Sequence, residues 1–344
     1  MPDSSTLQAL VAAANANLSD PERNRVMRPR DGETVRFELY HAGLSICSQK
    51  VRAVLAEKKE PYTLHKMVIV AGHGIFTDDF KPAENYRPSY VRLRMFGGAQ
   101  LGKSYAEQHT GRSSVETEGF DPCVVPLLVD HTQAKVVVDS KLICEHLDRE
   151  ISGPQRLIPA DPTAAQEVMK QVSIVDQTPH PGILYGFHPD DDRRPDFMKA
   201  VMKDVHEGKR QALQMFIDAN SDDAELVKAY QSKIAKEQAG KALAFDPERQ
   251  RAVRAEVDGI IKALAAQLET YANPWICGKE YTLADVVWGI SLYRIHWLGL
   301  AYLWKDLPWV QEYAQRVYKR PCVWEAVINW PSPMPPSPHT ADIS

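Results

Sequence analysis

The sequence predicts an α/β N-terminal domain followed by an all-α C-terminal domain, on three observations. Short apolar runs of strand length alternate with helical periodicity up to about residue 150, the pattern of a mixed sheet covered by helices. From Pro162 onward, apolar residues recur at three- and four-residue spacing with no strand signal between them. The 344 residues suffice for two domains with ordinary cores, and 44% hydrophobic with 25% charged residues is a globular composition.

Residues 1–34 read as an N-terminal extension, polar and broken by proline at Arg28-Pro29-Arg30-Asp31; its helix-compatible part, Ser5 to Leu18, either packs on the body or frays. The α/β domain spans 35–150, with a first strand at Val35 to Tyr40, a helix at Gln49 to Glu57 and a second strand at Tyr62 to Val70. A compact domain then needs only a few linking residues, yet roughly fifty follow, from Ala71 to Pro122. With Gly72-His73-Gly74, Gly97-Gly98 and the basic Arg87, Arg92 and Arg94, this stretch reads as a long insert at 71–122, part of it bordering the active site. Val124 to Asp130 is a strand entered through Pro126, and Asp139 to Leu147 opens a helix with an Asp-Ser start. The helical domain spans 158–330, with segments at Ala164 to Asp176, Phe197 to Ala219, Ala224 to Lys241, Glu248 to Tyr271, Leu283 to Trp297 and Trp309 to Lys319. Thr282 and Asp285 are spaced for a capping box, with Tyr281 as its staple, and 331–344 is a tail.

Ser45-Ile46-Cys47-Ser48 stands where the first strand gives way to the first helix. A hydroxyl and a thiol two residues apart at a helix N-terminus lie at the positive end of the helix dipole, where a thiolate is favoured. Ser45 and Cys47 are thus the candidate catalytic pair, although a capping serine beside a small core cysteine fits the local sequence as well. The five cysteines, Cys47, Cys123, Cys144, Cys277 and Cys322, show neither CxxC pairs nor zinc spacing and read as reduced thiols of a cytoplasmic protein. All but Cys47 lie in apolar patterns and are expected to be inert. A net charge of -4 gives no general attraction to nucleic acid or membrane phosphates, and no run of about eighteen apolar residues appears. Asp190-Asp191-Asp192 before Arg193 and Arg194 reads as turn caps and ion pairs rather than a metal site; the two arginines suit a carboxylate or phenolate oxygen.

Taken together, the Ser/Cys turn, the Val-Pro strand, the Asp-Ser helix and Gly278 to Trp288 resemble the glutathione transferase superfamily over about residues 35 to 330. Its architecture is a thioredoxin-like domain followed by a helical domain, and Gly278 to Trp288 is similar to its C-terminal capping motif. Within the superfamily, the Ser-x-Cys-Ser turn, Pro88 to Leu93, and Ala284-Asp285-Val286-Val287-Trp288 followed by Arg294 resemble the glutathione-dependent reductive dehalogenases of chlorinated hydroquinones, the dichlorohydroquinone dechlorinases included.

The resemblance implies glutathione as cosubstrate, with Ser45 donating to its sulfur and Ser48, Lys50 or Gln49 adding contacts. It implies a cis peptide before Pro126, the Val125 backbone pairing with the tripeptide, and the γ-glutamyl carboxylate resting at the helix start made by Asp139 and Ser140. Cys47 would attack the sulfur of a glutathionyl-hydroquinone, and a second glutathione would resolve the mixed disulfide. Tyr293, His296 and Trp297 sit on a helix whose default is core packing, with one or two expected to face a small aromatic substrate. A dimer is also implied. Two other functions stay open: β-aryl ether cleavage or simple conjugation, which needs Ser45 but not Cys47, and a non-catalytic glutathione-binding protein.

Overall fold

Side chains alternating across the central strands divide the N-terminal half into two packed faces. A computed structural model of the chain describes residues 4–21, 23–73, 80–153, 156–332 and 334–343. On β2 (Phe37–His41), Phe37 and Leu39 point to one face and Tyr40 to the other. Leu128 on β6 (Leu127–Asp130) and Val137 on β7 (Lys135–Val138) join the first face, while Leu127, Val129, Val136 and Val138 join the second. The five-stranded sheet runs β1-β3-β2-β6-β7, where β1 is Arg25–Met27 and β3 is Tyr62–Lys66. β2 and β3 are parallel, and every other pair is antiparallel.

The first face carries α2 (Ile46–Glu57) and α5 (Ser140–Glu150), through Val51, Val54, Leu55, Ile143 and Leu147. The second carries α3 (Pro88–Gly98), with α1 (Ser4–Ala16) packed outside it through Leu7 and Val11. The stretch read as an extension therefore contributes a helix and an edge strand, and Ser5 to Leu18 packs rather than frays. Likewise, the 71–122 stretch is not one insert. It holds α3, which is a layer of the sheet domain, beside a small hairpin, β4 (Gly72–His73) with β5 (Phe80–Lys81), and the one-turn α4 (Val115–Glu118). Residues 74–79, including Gly74 of the glycine-histidine run, lie outside the described residues. The apolar pattern of α3 is interrupted because Arg94 is buried in it and because Gly97 meets the sheet, and Gly98 the Phe120 ring, too closely for a side chain. A methyl group on Gly97 would lie 2.7 Å from Val136, and one on Gly98 2.2 Å from the Phe120 ring.

The helical half comprises α6 (Pro162–Gln177), the short α7 (His180–Tyr185) inside the segment read as irregular, α8 (Asp196–Ala219), α9 (Ala224–Phe245), α10 (Pro247–Tyr271), α11 (Leu283–Trp297) and α12 (Pro308–Tyr318). α11 is buried nearly all round and packs on both α6 and α2, joining the two halves. Its capping box is formed as the spacing predicts, and the Asp285 carboxylate also accepts from Ile276 N at 2.9 Å and Tyr313 Oη at 2.8 Å. Among the described residues, no helix is long and apolar enough to cross a membrane.

Candidate active site

Ser45 is the N-cap of α2: its backbone is extended (φ -68°, ψ 117°), and its Oγ accepts from Ser48 N at 3.3 Å. Ser48 is fully buried, and its own hydroxyl accepts from Ala42 N at 3.3 Å, so it braces the turn from within instead of facing outward. Cys47, in the first helical turn, is half-buried, with Sγ 3.6 Å from the hydroxyl of Ser113. One turn further on, Lys50 is buried and makes no hydrogen bond or salt bridge among the described residues.

Arg294 of α11 locks this turn from the helical half. Its guanidinium, 4% exposed at the residue level, donates to the Leu44 carbonyl and, at 3.3 Å, to Gln49 Oε1, while Gln49 Nε2 donates to Gly43 O at 3.4 Å. Burial pulls Arg294 down to about 10, opposed by the acidic Tyr293, Tyr185 and Cys47 groups, so it stays a cation at neutral pH beside the thiol. Nearby His180 is held neutral: burial first, then the charges of Lys50 and Arg294, push its pKa well down, and its Nε2 pairs with Ser291 Oγ at 2.8 Å. The start of α2 thus combines a half-open thiol, the N-terminal end of a helix and the buried side chains of Arg294 and Lys50.

The Val125–Pro126 peptide is cis. Three side chains of the 71–122 stretch hold the chain around it: Tyr90 Oη donates to Val124 O at 2.8 Å, Arg94 Nη1 to Pro126 O at 2.6 Å, and Asn85 Nδ2 to Cys123 O at 2.6 Å. Val125 lies before Leu127, the first residue of β6 in register with β2, so its backbone is outside the ladder.

Asp139 is the N-cap of α5 in a left-handed conformation (φ 77°), accepting from Lys141 N at 2.9 Å and Leu142 N at 3.3 Å; Ser140 follows as the first helical residue. Burial, then the charge of Asp176 on α6, pushes the Asp139 pKa above its ordinary value. The two carboxylates share a cavity of about 420 Å³ whose other walls include Lys103, Ser114, Glu116 and Lys141. A pair of carboxylates beside a helix N-terminus and a lysine can receive both the ammonium and the carboxylate of one amino-acid group.

The structure does not bring the weaker substrate candidates to the thiol. Arg194 is spent on Asp192 (2.9 and 2.6 Å) and the Leu184 carbonyl (2.8 Å) and is buried over Phe187; Arg193 pairs with Asp191 and stacks on Tyr302. Asp190 pairs with Arg251, so all three aspartates of that run are in ion pairs. Tyr293 and His296 are held by the C-terminal elements: Tyr293 packs edge-on to Tyr318, and His296 lies against Trp304, Tyr318 and Asp342 of the tail. Trp297 packs edge-on to Phe197 with Arg294 5.8 Å from its ring centre, nearer the turn. Burial raises the thiols of Cys123, Cys144, Cys322 and Cys277, the last to about 12, as their apolar settings imply.

Sequence reasoning assigned no role to Arg294, Asp176 or Ser113. A lone arginine inside the apolar run Leu283 to Trp297 was a usable signal for Arg294, because a charge there is buried and must be partnered. Asp176 and Ser113 had no local signal; their neighbours are tertiary.

Residues 44–150 match the family model described as glutathione S-transferase, N-terminal domain. Two proteins from Sphingobium indicum strains, each named 2,5-dichlorohydroquinone reductive dechlorinase, are 40% identical over 335 residues, covering 96% of this chain and 93% of theirs. Among solved structures, the β-etherase LigF from Sphingobium sp. strain SYK-6 aligns with a TM-score of 0.56 at 17% identity, over 85% of this chain and 98% of that one. FzlA from C. crescentus aligns with a TM-score of 0.51 at 16% identity, over 90% and 99%. At such identities these two structures speak for the fold.

Proposed function

Because this chain belongs to the glutathione S-transferase family and is an enzyme of that type, we propose that it catalyses the glutathione-dependent reductive dehalogenation of a chlorinated hydroquinone. The observation that carries this reading is Cys47 itself: a half-open thiol two residues from the Ser45 cap, with the Arg294 cation against the same turn. A transferase that only conjugates needs the Ser45 hydroxyl and has no use for a second sulfur.

In this reading, Ser45 donates to the glutathione thiolate, which displaces chloride from the tautomerised ring and leaves a glutathionyl-hydroquinone. The Cys47 thiolate then attacks the sulfur of that conjugate. The carbon–sulfur bond breaks, the ring carbon takes up a proton, and Cys47 is left as a mixed disulfide with glutathione. A second glutathione thiolate attacks this disulfide and frees Cys47. The sum is one aryl chloride and two glutathiones giving one arene, one glutathione disulfide, one chloride and one proton. Asp139 and Asp176 hold the γ-glutamyl ammonium, the start of α5 with Ser140 takes its carboxylate, Lys50 adds a further cation, and the Val125 backbone pairs with the cysteinyl residue. A cytoplasmic setting, where glutathione is abundant and reduced, and a dimer of the family type complete the proposal.

The test follows chloride and glutathione disulfide together while the protein turns over 2,5-dichlorohydroquinone with reduced glutathione. Equal amounts support the two-thiol route. Chloride without disulfide means the enzyme stops at the conjugate, and no chloride with turnover of a β-aryl ether instead replaces the reading with ether cleavage.

A further inference from the structure

The Cys47 thiol touches a segment that bridges the sheet domain and the helical half. Residues 110–118 lie in the chain between α3 and β6, and Ser114, Val115 and Glu116 form part of the cavity wall. Their hold is spread over the helical half. Gly182 N of α7 donates to Gly111 O at 2.9 Å, Arg112 pairs with Glu256 of α10, and Gln177 Nε2 of α6 donates to Ser114 Oγ at 2.9 Å. Toward the sheet domain, Lys141 Nζ of α5 donates to Glu116 at 2.6 Å; at the far end, Glu118 is buried against Lys236 at 2.8 Å. Five anchors on five helices fix the course of a strap with little regular structure of its own. Between the anchors Arg112–Glu256 and Ser114–Gln177, Ser113 is exposed and directs its hydroxyl at Cys47 Sγ across 3.6 Å.

We propose that Ser113 is a positioning residue for Cys47, its strap-borne hydroxyl donating to the thiolate and orienting it for attack. This rests on the reading of Cys47 as nucleophile. A hydroxyl donates to an anionic sulfur more strongly than to a neutral one, so the contact selectively stabilises the thiolate. Dipole and cations act on Cys47 from α2 and α11; Ser113 adds a donor from a third segment of the chain. The same strap supplies Ser114 and Glu116 to the cavity wall, so an occupant of the cavity and the thiol share one support.

The test is the pH profile of Cys47 alkylation by iodoacetamide, read on the Cys47 peptide by mass spectrometry in wild type, Ser113→Ala and Ser113→Thr. Ser113 is exposed, so neither change removes core packing. Loss of one charge-assisted hydrogen bond is expected to move the Ala profile up by about one pH unit, slowing alkylation roughly four- to tenfold below both midpoints; Thr keeps the wild-type profile. Superimposable Ala and wild-type profiles overturn the proposal, and so does a Thr profile that follows Ala. The reading beneath it fails separately: full dechlorination by Cys47→Ser removes the nucleophile, whereas the Ser113→Ala profile still reports the contact.

Discussion

Two helix starts carry the candidate site residues, and the charges gathered round them are opposite in sign. α2 begins with Ser45 and Cys47 and has the cations Arg294 and Lys50 close by; α5 begins with Asp139 and Ser140 and has the carboxylate of Asp176 close by. Both present a positive helix end, yet the added charges reinforce it at α2 and offset it at α5. The first arrangement gathers positive charge round the turn that carries the thiol. The second lifts the Asp139 carboxyl above its ordinary value, through burial and then the charge of Asp176. A shared motif therefore takes its chemistry from charges contributed by elements distant in sequence.

The largest expected effect breaks the α2 side of this comparison. Cys47→Ser should lower arene formation by on the order of 10³-fold or more while chloride release persists, and chromatography should show the glutathionyl-hydroquinone accumulating. Next comes Arg294→Lys: Arg294 Nη2 donates to both Leu44 O and Gln49 Oε1, and the lysine ammonium, one bond shorter in reach, falls short of that place, so the turn shifts and kcat should fall about 10²-fold with little change in the KM for glutathione. On the α5 side, Asp139→Asn keeps the cap and tolerates the positive φ but removes the charge. Steady-state kinetics should then show the KM for glutathione rising about tenfold with kcat held. In the wild type, that KM should improve as pH rises through the lifted Asp139 pKa, a dependence the Asn variant lacks.

The smallest effect is a control on β2, away from both helix starts. Burial alone would raise the Glu38 carboxyl, but hydrogen bonds from His131 and His65 outweigh it and hold the pKa down to about 2. His131 is raised in turn by its bond to Glu38. A depressed carboxylate stabilises the fold above its ordinary value of 4.5 and loses that contribution as pH falls toward 2; a raised histidine contributes below 6.5 and loses its share as pH climbs through the lifted value. Glu38→Gln should accordingly cost about 1 kcal/mol, greatest between those two values, in denaturant unfolding followed against pH, with alkylation of Cys47 unaltered.

Much of the fold was legible because local pattern and tertiary position agreed. The long helices of the second half follow their apolar spacing to within a few residues, and the capping box at Thr282 and Asp285 forms as written. Agreement failed where burial was achieved by unusual residues. α3 hides its helical face behind buried Arg94 and two glycines, so its layer reads as an insertion; β1 is three residues long and takes its identity from pairing with β3 alone.

The candidate site divides in the same way. Ser45, Cys47, Asp139 and Ser140 are marked by sequence because a helix start has a local signature: a capping side chain, a change of period and free N–H groups. Arg193, Arg194, Tyr293 and His296 carry the right chemistry but are taken by other partners, the arginines by Asp191 and Asp192 and the two ring side chains by Tyr318 and Trp304. Residue type and helix start were thus determined by the sequence itself. Which cation meets the thiol, which second carboxylate meets Asp139 and which hydroxyl crosses to Cys47 were decided only when α6, α11 and the 110–118 strap packed against the sheet domain, since charge and hydrogen bonding act through space over a few ångströms, irrespective of separation along the chain.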